Sequence, residues 1–316
     1  MSVIDKNSLE IFKSNIYIPT EIGLVSNNAY LSIILTNKCQ RKCFYCINSE
    51  TDKSKELPLE LAKGNIKKLN EKLGFKVKEA IILGGEPLLY PHDGLLDLIR
   101  FLRSEGIIPR LTTNGLNLVR NSNITVEDRI KQLVDVGLYG INLSYHNLDH
   151  FVKQEELNRI YRNCWKNRIK LRINTNIWRG NLDNLSDILF FLRTLNSFGC
   201  FDEIRISNLI QKDSFSVNST KNEDNKILST EEYDNLFQEI VDYYSRNHAI
   251  FENKETLGFV RYVIIPTPRP IILNWNTFST VSEQVCECLD NKINTFKCLV
   301  DGSISLSWNQ NNIIDL

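Results

Sequence analysis

Leu31-Ser-Ile-Ile-Leu-Thr-Asn-Lys-Cys39-Gln-Arg-Lys-Cys43-Phe-Tyr-Cys46 is an apolar run that empties into a loop with three cysteines in eight residues. The run from Leu31 to Thr36 is short, apolar and bounded by polar residues, which predicts a buried strand. Soft thiolates packed this closely on a loop suit a cubane iron–sulfur cluster. Three of them leave the fourth iron without a protein ligand, open to a chelating small molecule and to electron delivery. A structural zinc site is the alternative, and it requires a fourth ligand. The next cysteine or histidine along the chain is His92, with no partner beside it. The cluster is the preferred reading.

Outward from this stretch, β-rich runs alternate with helical ones. Candidate strands begin near Leu31, Glu79, Arg110, Gly140, Lys170 and Asp202. In the first helical stretch Ala62, Ile66, Leu69 and Leu73 share a face, with Pro58 near the start and Gly74 at the end. A later one opens with Thr125, turns Ile130, Leu133 and Val134 inward, and closes at Gly137. Six βα units predict an α/β fold, a partial (βα)6 barrel of TIM type. The loops at the carboxyl ends of such strands form the active site. Every motif below except the C-terminal cysteines is expected at such an end.

The organisation predicted is an N-terminal extension over 1–30, a core over 31–210, a linker or mobile loop over 211–228, and a small α+β C-terminal extension over 229–316. Residues 211–227 are polar and lack periodicity. Ser229 and Glu232 read as a capping box before a helix carrying Leu236, Phe237, Ile240 and Tyr244. Short β-like runs follow over Phe259–Ile265 and Ser303–Trp308.

Composition bounds the function. Lysine plus arginine equals aspartate plus glutamate at 38 each, which gives no support for nucleic-acid or membrane-surface binding. No apolar stretch approaches a membrane span, and the N-terminus MSVIDKNSLE has no signal-peptide pattern. A soluble, cytoplasmic protein is expected. Eight cysteines in 316 residues, clustered as these are, point to metal in a reducing compartment rather than to a secreted disulfide framework.

The strand ends carry the polar chemistry. Gly84-Gly85-Glu86-Pro87 follows the second strand, where two glycines let the backbone approach a ligand closely and Glu86 supplies a carboxylate next to it; an ordinary glycine turn is the alternative. Thr112-Thr113-Asn114-Gly115 ends the third and Ser144 the fourth; alone, either is ordinary turn chemistry. On the fifth strand Arg172, Asn174 and Asn176 share one face by alternation, and Arg205 and Ser207 do so on the sixth. Arg172 is a candidate for a carboxylate or phosphate; a solvated strand face is the alternative.

Residues 31–210 resemble the radical S-adenosylmethionine (SAM) superfamily. GGEPLL, TTNG and RINTNIWRGNLDNL are most similar to its MoaA and SPASM/twitch branch. The resemblance implies a [4Fe–4S] cluster on Cys39, Cys43 and Cys46, with SAM as cofactor. It places Tyr45 against the adenine, the backbone of Gly84, Gly85 and Glu86 at the amino group, Thr113 and Asn114 at the ribose, and Ser144 at the carboxylate or ribose. Arg172 and Asn174, read from strand alternation rather than from the resemblance, complete the candidate cofactor contacts, with Arg172 a candidate for a carboxylate or phosphate of SAM or substrate. It implies cleavage of SAM to a 5′-deoxyadenosyl radical that abstracts a hydrogen atom from a small molecule in cofactor or natural-product biosynthesis. Flavodoxin or ferredoxin is the implied electron donor, and no general base is assigned. The alternatives are a maturase modifying a ribosomal peptide and, in another class, a non-enzymatic iron–sulfur redox sensor or scaffold. About thirty residues before the first strand are too few for a separate leader-peptide recognition domain, which tilts the reading to a small molecule.

Cys286, Cys288 and Cys298 beside Asp301-Gly302 are similar to a twitch domain's second cluster. They depart from MoaA: the first pair is Cys-x-Cys, no cysteine follows the Asp-Gly turn, and the chain ends Ile-Ile-Asp-Leu. MoaA's own reaction is therefore not expected. The competing readings are reduced core thiols, or Cys298 as a hydrogen-atom donor. Cys164 and Cys200 read as packing cysteines.

Overall fold

The apolar run of the opening stretch is the end of a longer strand. In the computed structural model, which describes residues 16–46, 51–120, 124–147, 152–198, 201–209, 226–247, 250–256, 259–264, 271–276, 292–308 and 312–316, β1 (Tyr17–Thr20) turns back into β2 (Gly23–Ile34) as an antiparallel pair. The hydroxyl of Thr20 closes the turn by donating to the carbonyl of Gly23. The strand thus starts before Leu31, in the mixed-polarity segment Gly23–Tyr30, where no continuous apolar run announces it.

The βα rhythm then proceeds as predicted. It runs α1 (Leu59–Leu73), β3 (Glu79–Leu83), α2 (His92–Ser104), β4 (Ile108–Thr113), α3 (Leu116–Val119), α4 (Val126–Asp135) and β5 (Gly140–Ser144). It continues through α5 (Gln154–Lys166), β6 (Lys170–Ile177), α6 (Leu185–Phe198) and β7 (Glu203–Asn208). Ala62, Ile66, Leu69 and Leu73 of α1 are buried, each large one contributing about 1.5–3 kcal/mol by leaving water. Gly74 ends α1 in the left-handed conformation, φ +69°, with its N–H on the carbonyl of Glu71. The Thr125 side chain caps α4 by accepting from the N–H of Asp128.

Strands β2 to β7 are parallel and sequential neighbours, the partial barrel expected from six units. Among the described residues the sheet does not close; its path ends on β12 and β8.

The C-terminal elements are α7 (Thr230–Asn247), β8 (Ile250–Thr256), β9 (Phe259–Ile264), β10 (Ile271–Asn276), β11 (Lys292–Cys298) and β12 (Ile304–Ser305). The reciprocal bonds of the capping box are present: Ser229 N–H to Glu232 Oε2, and Glu232 N–H to Ser229 Oγ. Leu236, Phe237, Ile240 and Tyr244 are buried. Strand β10 pairs parallel to β7, and β11 parallel to β2, so this region extends both edges of the core sheet. That corrects one expectation. Cys298 is the last residue of β11, opposite Ile33, and therefore does sit at the carboxyl end of a parallel strand. No described helix is long and apolar enough to cross a membrane.

Candidate active site

The cysteine loop is built onto the end of β3 by backbone bonds. Leu35 N–H donates to the carbonyl of Leu83 at 2.8 Å; Gly85 N–H reaches Thr36 O and Glu86 N–H reaches Lys38 O, both at 2.6 Å. A Cβ at position 85 would lie 2.2 Å from Lys38 O, and one at position 84, φ +149°, would lie 2.3 Å from Thr36 O. What these glycines approach closely here is the cysteine loop's own backbone, not the ligand expected from the sequence. From the other side the loop is braced by Asn37, whose N–H donates to Lys55 O and whose amide donates to Asp52 O.

Cys39, Cys43 and Cys46 are all half-buried and none is in a disulfide. Cys46 N–H bonds Cys43 O at 3.1 Å, which turns the chain between the last two ligands. The Cys39 sulfur accepts from Arg41 N–H at 3.4 Å and lies 4.0 Å from the Asn114 amide. Burial pushes the Cys39 thiol up, and the charges of Glu86, Cys46 and Cys43 push the same way. Tyr45 is raised by burial and by Cys43 and Cys46. Three thiols crowded with a carboxylate are a donor set that a cationic iron core offsets, so these residues fit the cluster. Among the described residues no three of Cys, His, Asp and Glu converge on one ion; a cubane asks for less, since each thiolate meets its own iron.

Glu86 is fully buried, and its carboxylate is spent on the protein. It accepts from the Thr113 hydroxyl at 2.6 Å, Asn114 N–H at 2.8 Å and Leu88 N–H at 3.2 Å. Burial raises its pKa, and the three donors oppose that rise. The side chain thus ties the end of β3 to the end of β4. Thr113 is committed too: its oxygen also accepts Gly115 N–H at 3.0 Å. Asn114 joins the two motifs, with its backbone on Glu86 and its side chain toward Cys39 and Gln40.

Ser144 ends β5 half-buried, in register with Asn174. On β6, Leu171, Ile173, Thr175 and Ile177 are buried, while Arg172, Asn174 and Asn176 form the half-buried face predicted by alternation. Arg172 is not idle: its guanidinium pairs with Glu203, its register partner on β7. Arg205 stands opposite Asn174. Among the described residues Arg205 Nε, Asn142 Oδ1 and Asn174 Oδ1 are sealed from solvent without a hydrogen-bond partner.

Cys298 is fully buried in the core. Burial, then Asp301, pushes its thiol up to about 12, the behaviour of a packing cysteine. Its Asp301-Gly302 turn forms the expected hairpin, with Leu299 N–H on Ser303 O and Gly302 N–H on Leu299 O. Cys286, Cys288 and Cys200 lie outside the described residues; Cys164 is buried.

Sequence reasoning missed two aromatic residues. Trp178, just past β6, has its ring centroid 5.2 Å from Tyr45 and 5.5 Å from Phe44. His146, just past β5, lies 5.2 Å from Tyr45. Their position immediately beyond predicted strand ends was the available signal.

Residues 33–178 match the Radical SAM superfamily. The GTP 3′,8-cyclase of Clostridium perfringens (strain 13 / Type A) is 30% identical over 175 residues, 51% of this chain and 50% of that protein. The probable GTP 3′,8-cyclase of Methanocaldococcus jannaschii is 31% identical over 180 residues, 53% and 56% of the two chains. This chain thus spans about half the length of these relatives. The GTP 3′,8-cyclase of Aquifex aeolicus is 28% identical over 75% of each chain. Among solved structures, Streptococcus suis SuiB bound to S-adenosylmethionine superimposes with a TM-score of 0.60, covering 92% of this chain and 64% of that one at 13% identity. Native anSMEcpe with bound AdoMet gives 0.51 over 69% and 61%, at 17% identity. The likeness to these structures is one of fold. With a three-cysteine loop seated on Gly84-Gly85-Glu86 at the mouth of a partial barrel, residues 33–178 are a radical SAM domain.

Proposed function

We propose that this chain is a radical SAM enzyme acting on a small molecule that carries an anionic group. The observation that carries the enzyme assignment is the cysteine loop itself: three reduced thiols fixed at the carboxyl end of β2 by the short bonds from Gly85 and Glu86. Cys39, Cys43 and Cys46 would hold the cluster, with SAM beside it at the ends of β3 to β6. When bound, the pair supplies one-electron reductive cleavage of the sulfonium and a carbon radical able to take a hydrogen atom from an unactivated carbon. The chain's own part is positioning. Glu86 and Asn114 hold the β3 and β4 ends in register, Asn114 and Arg41 direct N–H groups at the Cys39 sulfur, and the aromatic rings beside Tyr45 shield the loop from water.

The substrate class rests on the barrel's polar face. Arg172 and Arg205 bring two guanidiniums to adjacent strands, with Glu203 paired to the first. Orphaned buried polar atoms each cost about 1–3 kcal/mol, and a bound carboxylate or phosphate relieves Arg205 Nε. The name of the relatives, GTP 3′,8-cyclase, describes action on a phosphate-bearing nucleotide, which agrees with an anionic substrate without fixing which one. A ribosomal peptide is the second reading, supported by SuiB having been solved with its precursor peptide SuiA on this fold, TM-score 0.52. Flavodoxin or ferredoxin is the proposed electron donor.

The test is anaerobic reconstitution with iron and sulfide, then dithionite and SAM, with 5′-deoxyadenosine as the readout. Wild type should form it, and Cys43→Ala should abolish it. Equal formation by both would defeat the assignment, and iron without SAM cleavage would favour a redox sensor.

A further inference from the structure

Three rings from three parts of the chain meet at the mouth of the barrel. Tyr45 comes from the cysteine loop, His146 from the exit of β5 and Trp178 from the exit of β6. The imidazole of His146 touches both of the others, with centroids 5.2 Å from Tyr45 at 78° and 5.8 Å from Trp178 at 65°, edge-to-face geometries in both cases.

What holds that imidazole is unusually complete. Its Nδ1 accepts the N–H of Asn176 at 3.1 Å, which assigns the proton of the neutral ring to Nε2. Its carbonyl accepts from the Asn181 amide at 3.0 Å, and the same amide donates to Asn176 O at 3.1 Å. Asn181 also fixes Trp178 through paired backbone bonds, Trp178 N–H to Asn181 O and Asn181 N–H to Trp178 O. The Thr175 hydroxyl donates to Tyr145 O at 2.7 Å, and Tyr145 N–H to Asn174 O at 2.9 Å. The exits of β5 and β6 therefore form one stitched platform. His146, 8% exposed, stands on it with its ring against the two larger aromatics. Phe44 closes the far side, 5.1 Å from Tyr45.

We propose that His146 is a positioning residue for SAM, fixing Tyr45 and Trp178 as the aromatic walls against which the purine of SAM is held. This rests on the reading of the site as a radical SAM centre. The residue acts in two separable ways: Nδ1 anchors the β6 exit, and the ring edge sets the tilt of the walls.

The experiment uses the full chain, reconstituted anaerobically, with iron content, equilibrium SAM binding and the rate of 5′-deoxyadenosine formation at saturating SAM measured together. His146→Ala loses both contributions and should raise the SAM Kd about tenfold, the effect of losing an aromatic contact of ordinary strength. Its iron content and saturated rate should stay close to wild type. His146→Phe, which keeps a ring, and His146→Asn, which keeps a short acceptor, should each recover part of the affinity. A merely structural role would lower the loaded fraction and leave the Kd of loaded protein unmoved. That result overturns the proposal. Should His146→Ala fail to fold or load, Trp178→Leu with its platform intact must show the same rise in Kd, and Trp178→Phe must restore it; unchanged affinity in loaded Trp178→Leu overturns the proposal equally. Wild type that loads the cluster but binds no SAM would overturn the underlying reading of the site, and the proposal with it.

Discussion

A methyl group at position 85 would stand 2.2 Å from Lys38 O and 2.7 Å from Asn37 O, neither of which can move without lifting the cysteine loop. Gly85→Ala should therefore lose most of the roughly four irons that a cubane holds. Gly64→Ala, in open space on α1, should keep the iron and stabilise the fold by about 0.5–1 kcal/mol in urea unfolding. Retained iron in Gly85→Ala would show that the loop does not depend on this contact. Glu86→Ala strands three donors in the interior and should cost on the order of 3 kcal/mol, measured the same way. His146 makes a prediction in pH. Burial lowers its pKa from 6.5 to about 4, so between those values the unfolded chain binds the proton that the folded chain refuses. Stability should be fully present above about 6.5 and fall as the pH drops toward about 4, a swing on the order of 3 kcal/mol. Urea titrations across that range should lose this component in His146→Asn; an unchanged slope would contradict the assignment. Glu86 and Thr113 show why residue roles were only half legible. The motif located them, but the acceptor of the Thr113 hydroxyl is set by tertiary packing, which local sequence does not encode.

Among the elements, those with strong periodicity could be read directly. Gly140 and Lys170 do begin β5 and β6, and Thr125 and Ser229 cap the helices expected of them. Burial on α1 follows its apolar stripe, so Ile66→Ala or Leu69→Ala should each cost about 2–5 kcal/mol without altering the cysteine loop. The start of β2 was not legible, because Gly23–Tyr30 is held by β1 and β11 rather than by apolar character of its own. Nor was the parallel pairing of β11 with β2, which joins residues far apart in sequence and leaves no periodic trace. Trp178 and His146 escaped for a related reason: each is a single aromatic residue past a strand end, and only the fold brings the two together.

At the scale of the molecule, β10 and β11 bind the C-terminal region to the two edges of the core sheet, so it buttresses the barrel that carries the site. Whether it also carries a second cluster is a separate proposal. Replacing Cys286, Cys288 and Cys298 together should lower iron from about eight to about four per chain if a second cubane is bound. The buried, core-packed thiol of Cys298 favours the other outcome, an unchanged count of about four. In that case Cys298→Ala alone should cost stability and no iron.

Cys39, Cys43 and Cys46 are proposed to present an iron site to SAM at the mouth of the barrel. The most direct measurement is electron paramagnetic resonance of the dithionite-reduced, reconstituted chain with and without SAM. A cluster signal whose g-values shift when SAM is added, absent in Cys43→Ala, is the predicted result. A cluster signal that SAM leaves unchanged would contradict the account.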